Sequence, residues 1–170
     1  MGHEVFFISY YFSPLHRLSS NVVDIKKRIK QNKMGVIERM NGLKTYVPFT
    51  LFPVFGNKTP EFFSSLSLKD SLFSIKKILA DNGFRRVDAL ILSHVQLANI
   101  LKIFKDPHFS FNKLIYRCTD DIVQFPDIPS WMNKIENNIA EDADEIVCTS
   151  MKLVEKFQNI KDKKRVHYIP

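Results

Sequence analysis

The apolar residues of this chain fall into short runs that alternate with longer, periodically apolar stretches. Short, mainly apolar runs at 5–10, 87–92, 113–119, 145–150 and 165–169 predict strands, and the stretches between them carry apolar stripes of helical spacing. Strands that alternate with helices indicate βαβ units. The pattern therefore predicts an α/β fold with a mostly parallel sheet and helices on both faces, and it favours burial of strands 87–92 and 145–148 on both sides.

A β-hairpin is predicted near residues 35–49. Asn41-Gly42 separates the strand-like runs GVIERM and LKTYVPF. A type I′ turn requires positive φ at both central positions, and the Asn-Gly pair meets that requirement at low cost.

The helix boundaries are predicted from capping residues. Ser67 and Asp70 resemble a capping box that opens a helix, and Gly83 is expected to end it. The Phe- and Pro-rich segment 50–66 is expected to be a loop, and Ser150 is expected to cap the last helix.

Charge adds one feature to this picture. The 170 residues contain 25 Lys and Arg against 18 Asp and Glu, which gives a net charge of +7. Several of the basic residues surround one predicted helix: Arg17, Lys26, Lys27, Arg28, Lys30 and Lys33. Such a cluster attracts anionic membrane, nucleic acid or phosphorylated ligands, although a solvated helix face explains it equally well.

Several classes of site are disfavoured. Cys118 and Cys148 lack CxxC spacing and companion histidine pairs, so we expect no metal site but two buried, reduced thiols in a cytosolic protein. The chain has no GxGxxG after its first strand, no GxxxxGK[ST] and no GxSxG. These absences argue against a dinucleotide-binding domain, a P-loop NTPase and an α/β-hydrolase.

Candidate functional residues follow from the predicted sheet, because open α/β sheets bind ligands outside the carboxyl ends of their strands. His94 and Asp120 are candidates for catalysis. Candidates for substrate binding lie at the same exits: Ser13, His16, Arg17, Asp121, Thr149 and Ser150. Structural alternatives stay open, since His94 or Ser150 would also cap a helix and one of the two aspartates would also cap a turn.

The last third of the chain resembles a known family. The run LIYRCTDDIVQFP, then IENNIAEDADEIVCTSMKLVEKF and VHYIP, is similar to the end of the N-terminal domain of GT-B glycosyltransferases. The likeness is strongest to family-four-like enzymes of cell-surface polysaccharide synthesis, including the teichuronic acid type. The residues that fill the pattern are Tyr116, Asp120, Asp121, Glu136, Ala143, Asp144, Thr149, Ser150, Ile169 and Pro170. The resemblance covers residues 87–170, and over 1–86 it depends on strand order and the hairpin.

This resemblance implies that residues 1–170 form a three-layer Rossmann-like, acceptor-side domain, with the C-terminal donor-binding domain absent from this chain. The full enzyme would transfer a sugar from a nucleotide sugar to a glycan or lipid-linked acceptor, and this piece alone would be inactive and would bind no cofactor of its own. His94 would lie near the transferred sugar. Ser19-Ser20 stand where many relatives carry glycines, which disfavours close backbone approach to the donor diphosphate.

The resemblance also suggests partners and a location. These are the protein's own C-terminal domain, the acceptor, and an anionic membrane surface that the basic helix and the Phe-rich loop would contact reversibly. The expected location is cytoplasmic, peripheral at the inner face of the cell membrane.

The alternative is a freestanding α/β binding module for nucleic acid or another anionic ligand. Such a module would interleave basic residues with exposed aromatic residues. The predicted basic helix lacks interleaved aromatic residues, so the sequence favours the transferase and makes nucleic acid an unlikely partner.

Overall fold

Seven strands and four α-helices lie within the residues that the computed structural model describes, which are 2–15, 25–52, 61–125, 131–160, 162 and 165–170. The chain divides into two compact units, Met1–Phe84 and Arg85–Pro170. Each unit contains its own sheet.

The first unit contains a three-stranded mixed sheet in the order β1-β3-β2. β1 (Val5–Ile8) pairs in parallel with β3 (Leu43–Tyr46), and β2 (Ile37–Met40) pairs antiparallel with β3. The predicted hairpin is therefore confirmed. Gly42 in its turn has a φ of 83°, and its carbonyl accepts a hydrogen bond of 2.7 Å from the amide of Val5.

Two helices belong to this unit, α1 (Ile25–Lys33) and α2 (Glu61–Asp81). Helix α2 already includes Ser67, so the predicted capping box there and the loop over 61–66 are both wrong. The residues EFFSSL contain neither Gly nor Pro, so nothing in them interrupts the helix.

The end of α2 agrees with the prediction. Gly83 has a φ of 86°. The amide of Phe84 donates to the carbonyl of Leu79 at 2.8 Å, and the amide of Gly83 donates to Ala80 at 3.2 Å. These are the two hydrogen bonds of a Schellman motif, which satisfies carbonyls that the helix end would leave unpaired.

The second unit contains a four-stranded, fully parallel sheet in the order β4-β5-β6-β7. Its strands are β4 (Arg86–Leu92), β5 (Ser110–Cys118), β6 (Glu145–Cys148) and β7 (Val166–Tyr168). The connections contain a 3₁₀ helix at Val95–Lys105, helix α3 (Trp131–Asp142) and helix α4 (Met151–Gln158). A parallel sheet flanked by helices confirms the predicted Rossmann-like α/β class.

The core of the second unit lies between one sheet face and the helices α3 and α4. Tyr116 on β5 is buried, and its ring meets the ring of Phe157 on α4 edge to face at 5.7 Å. The predicted burial of strand 87–92 on both faces is wrong, because only Leu92 of β4 is buried and Ile91 is 58% exposed.

Both cysteines are buried and free, as predicted. Burial raises the pKa of Cys118 to about 12 and that of Cys148 to about 11, so both remain protonated thiols at neutral pH. Within the described ranges, no helix has both the length and the apolar character needed to cross a membrane.

Candidate functional site

Three polar strand exits of the second unit share one edge of its parallel sheet. β4 leads into Ser93-His94, β5 into Thr119–Asp121, and β6 into Thr149-Ser150. The strands pair in register, with Leu92 opposite Tyr116 and Cys118 opposite Cys148, so these exits are neighbours. This is the edge at which open α/β sheets bind ligands.

His94 lies in extended backbone (φ −145°, ψ 128°) immediately before the 3₁₀ helix. Its carbonyl accepts the amide of Leu97 at 2.9 Å, but its side chain makes no capping hydrogen bond. His94 therefore accepts a hydrogen bond of the 3₁₀ helix through its backbone carbonyl, but its imidazole does not cap that helix.

Burial lowers the pKa of His94, an effect that the negative charge of Asp120 opposes and the positive charge of Arg117 reinforces. The imidazole is consequently neutral at neutral pH, with one nitrogen able to donate a hydrogen bond and the other able to accept one. His94 and Asp120 follow neighbouring strands of the sheet, β4 and β5, at the same edge.

The two aspartates after β5 have different surroundings. Asp120 is exposed, and its carboxylate accepts the hydroxyl of Thr119 at 2.8 Å. Asp121 instead accepts the ammonium of Lys156 at 2.8 Å and the amide side chain of Gln124 at 3.0 Å. The bond from Lys156 lowers the pKa of Asp121. Asp120 thus presents its carboxylate to solvent, whereas Asp121 stabilises the turn.

A buried polar network lies directly beneath this turn. Glu136 on α3 is fully buried, and its two oxygens accept the hydroxyl of Tyr116 at 2.8 Å and the ammonium of Lys156 at 2.7 Å. Lys156 on α4 therefore bridges Glu136 and Asp121. Burial opposes the charge of Lys156, but the two carboxylates outweigh that effect and raise its pKa.

Sequence reasoning included Glu136 only as part of a family pattern and missed Lys156. A lysine next to Phe157 in an amphipathic helix has no local feature that distinguishes it from a solvated one. Its role depends on Asp121, which is 35 residues away in the chain.

Thr149 and Ser150 are engaged by the backbone at the exit of β6. The hydroxyl of Thr149 donates to the carbonyl of Thr119 at 2.9 Å and so joins the exits of β5 and β6. The hydroxyl of Ser150 accepts the amide of Leu153 at 3.4 Å, which confirms that it caps α4.

The candidates of the first unit are described within that unit alone. Ser13 is fully buried, and its hydroxyl donates to the carbonyl of Leu51 at 2.9 Å and accepts the amide of Leu15 at 3.3 Å. These contacts give Ser13 a structural role. His16 and Arg17 lie outside the described residues.

The side chains at this edge of the sheet can form hydrogen bonds and charge interactions with a ligand. A neutral imidazole and an exposed carboxylate can bind the hydroxyls of a sugar and orient them. Among the described residues, no group of three or more His, Cys, Asp or Glu side chains is arranged to hold a metal ion.

Comparison with known proteins adds one finding. The family model described as "Glucuronosyltransferase GumK, N-terminal domain" matches residues 1–149. The match therefore includes His94, Asp120, Asp121 and Thr149, and it stops before Ser150 and Lys156. No curated protein matches the chain.

Proposed function

Because the chain belongs to the family of glucuronosyltransferase GumK N-terminal domains, and is thus the N-terminal part of a GT-B glycosyltransferase, we propose that it forms the acceptor side of the enzyme. The enzyme would transfer a sugar from a nucleotide sugar to a glycan or lipid-linked acceptor in cell-surface polysaccharide synthesis. The family match confirms the resemblance to the N-terminal domain of a GT-B glycosyltransferase. The acceptor and the pathway are part of the proposal.

The observation that carries this proposal is the position of His94 and Asp120 at neighbouring strand exits on the carboxyl edge of the parallel sheet. A neutral His94 would donate a hydrogen bond to the sugar being transferred. Asp120 would accept a hydrogen bond from a hydroxyl of the acceptor or donor. Both would act by positioning and electrostatic stabilisation of an oxocarbenium-like transition state.

The family description supports two finer elements. Its reference to an N-terminal domain supports a second domain that holds the donor, so residues 1–170 alone would not turn over. Its reference to a glucuronosyltransferase makes a glucuronosyl nucleotide the first donor to test. The domain itself would bind no further cofactor.

Contact with an anionic membrane surface, at the inner face of the cell membrane, is supported by helix α1. Its lysines are exposed: Lys26, Lys27, Lys30 and Lys33. Phe49 in the following segment is 41% exposed. Phe55 lies outside the described residues, and the side chains of Phe62 and Phe63 are not described. Cationic and apolar groups together are suited to reversible binding at such a surface.

The test is a transfer assay with the full-length protein, UDP-glucuronate and a lipid-linked glycan extract as acceptor. We expect His94→Ala and Asp120→Asn each to lower kcat/KM by about 100-fold or more, the usual effect of removing one stabilising group. Asp88→Asn is the matched control, because this exposed carboxylate contacts Asn112 near the start of β5. The control variant should retain wild-type activity.

Full activity of both His94→Ala and Asp120→Asn would contradict the assigned roles. Robust transfer by residues 1–170 alone would contradict the need for a second domain. Salt-sensitive binding of oligonucleotides without any sugar transfer would favour the alternative of a nucleic-acid-binding module.

A further inference from the structure

The first unit contains a cavity of about 190 Å³ that none of the assigned roles uses. It lies at the carboxyl ends of β1 and β3, which is the ligand-binding edge of an open α/β sheet. The residues that define its chemistry are Phe7, Ser9, Gln31, Ile37, Arg39 and Thr45. The volume is below the about 300–1,000 Å³ of pockets for drug-sized ligands, so it suits one sugar ring rather than a nucleotide.

Arg39 gives the cavity its charge. The register between β2 and β3 shifts between Glu38 and Met40, so Arg39 lies at a β-bulge. A bulge redirects a side chain, and bulges are frequent beside binding sites. Arg39 is exposed and has no hydrogen bond or ion pair with any described residue.

The positive charge on this side of the sheet is not balanced by nearby acids. Glu38 is the register partner of Lys44 and alternates with Ile37, which lines the cavity, so Glu38 lies on the opposite face of the strand. Among the described residues that line the cavity, none is acidic. A second cation lies beside it, because Arg28 donates to the hydroxyl of Ser9 at 3.1 Å.

The other walls suit a sugar ring. Phe7 is 55% exposed although it lies on a strand, and an exposed aromatic face can pack against the C–H groups of a sugar. The side-chain amide of Gln31 makes no hydrogen bond with a described residue, and the hydroxyl of Ser9 retains its proton to donate.

We propose that this cavity binds one anionic sugar, a ring that bears a carboxylate or a phosphate, with Arg39 on the anionic group and Phe7 against the ring. The inference rests on the proposed function, in which this domain holds the acceptor, and it makes the cavity a subsite for an acidic unit of that acceptor. An Arg guanidinium matches both anions, because its N–H groups form paired bonds with two oxygens.

The test is a titration of the ¹⁵N-labelled chain followed by NMR, with glucuronate, glucose 1-phosphate, glucose and inorganic phosphate as probes. We expect one or both anionic sugars to shift the amide signals of Gln31, Arg39 and Thr45, and the probe that binds identifies the anion. Glucose and inorganic phosphate should each bind at least about tenfold more weakly, because each lacks one of the two recognised groups.

Variants define the contacts. Arg39→Gln should weaken binding of the anionic sugar about tenfold, and Arg39→Lys should weaken it less because the charge remains. Phe7→Leu should weaken binding of the sugars and leave that of phosphate unchanged. Arg86→Gln, an exposed arginine at the start of β4, is the matched control and should bind as the wild type does.

The inference is overturned if no probe shifts these signals, if glucose or phosphate alone binds as tightly as the anionic sugars, or if Arg39→Gln binds like the wild type. The titration requires neither donor nor turnover. Loss of this binding therefore contradicts the cavity's role without bearing on sugar transfer, and failed transfer with intact binding contradicts the proposed function instead.

Discussion

The polar residues at the carboxyl edge of the second sheet differ in their surroundings, and the exposed carboxylate of Asp120 accepts the hydroxyl of the adjacent Thr119. Thr149 and Ser150 hold strand and helix ends, and Asp121 is tied to Lys156. A sequence can place all of these residues at strand exits from the hydrophobic pattern alone. It cannot distinguish Asp120 from Asp121, since the difference is made by the distant ammonium of Lys156.

The electrostatic relation between His94 and its neighbours can be measured by NMR titration of the histidine signals. We expect a pKa of His94 below the ordinary value of about 6.5 for histidine. Asp120→Asn should lower this pKa further, because the negative charge of Asp120 stabilises the imidazolium and the variant lacks it. Arg117→Gln should raise the pKa of His94, because the positive charge of Arg117 destabilises the imidazolium and the variant lacks it.

Asp88→Asn serves as the control for that titration and should leave the His94 signal unchanged. A pKa of His94 that stays constant or rises in Asp120→Asn would show that the two side chains do not interact. That result would contradict a joint role of His94 and Asp120 at this edge of the sheet.

The element boundaries that require a positive φ were predictable from the sequence. The start of α2 was not, because the helix continues through the residues that resemble a cap. Asn41-Gly42 predicts the hairpin, and Gly83 predicts the end of α2, because positive φ favours glycine at both places. The early start of α2 at Glu61 was not predictable from capping residues, since Ser67 lies inside the helix. A capping sequence is compatible with a helix interior when the preceding residues are also helical.

The hairpin turn offers a test at this scale. Gly42→Ala should destabilise the chain by more than about 1–2 kcal/mol, the backbone cost of a left-handed conformation for an L-residue. The added Cβ would also lie 2.9 Å from the carbonyl oxygen of His3, which is too close to be tolerated without a shift of the backbone. Urea unfolding measures the change.

Gly35→Ala is the matched control for the turn. Gly35 has a φ of 70°, but a Cβ there would have no neighbour within 4 Å, so only the backbone cost applies. Equal destabilisation by the two substitutions would show that the approach of the β1 segment to the turn is unimportant for stability.

For the molecule as a whole, the family match over 1–149 spans both compact units, each with its own sheet and its own candidate site. Strand order predicts the α/β class because hydrophobic periodicity is local, but the division into two separate sheets was not predicted. The network of Tyr116, Glu136, Lys156 and Asp121 was not predictable, because its members come from β5, α3, α4 and the turn after β5, which meet only in the fold. Its charges make the stability of the chain dependent on pH.

Lys156→Met should destabilise the chain at pH 7 by about 3 kcal/mol, the lower end for a broken buried pair, since the side chain of Lys156 is 23% exposed. The lowered pKa of Asp121 means that its contribution is present above the unfolded value of about 4 and is lost as the pH falls through the folded value. The raised pKa of Lys156 means that its contribution is present below the unfolded value of about 10.5 and is lost as the pH rises through the folded value. Urea unfolding of the wild type and of Lys156→Met should therefore show the largest difference in the free energy of unfolding between these two pH limits, and a smaller difference near pH 3.

The double variant Lys156→Met with Glu136→Gln should recover part of the loss at pH 7, because the buried carboxylate is removed with its partner. A difference that stays constant from pH 7 to pH 3 would show that Lys156 stabilises the chain by packing rather than by charge.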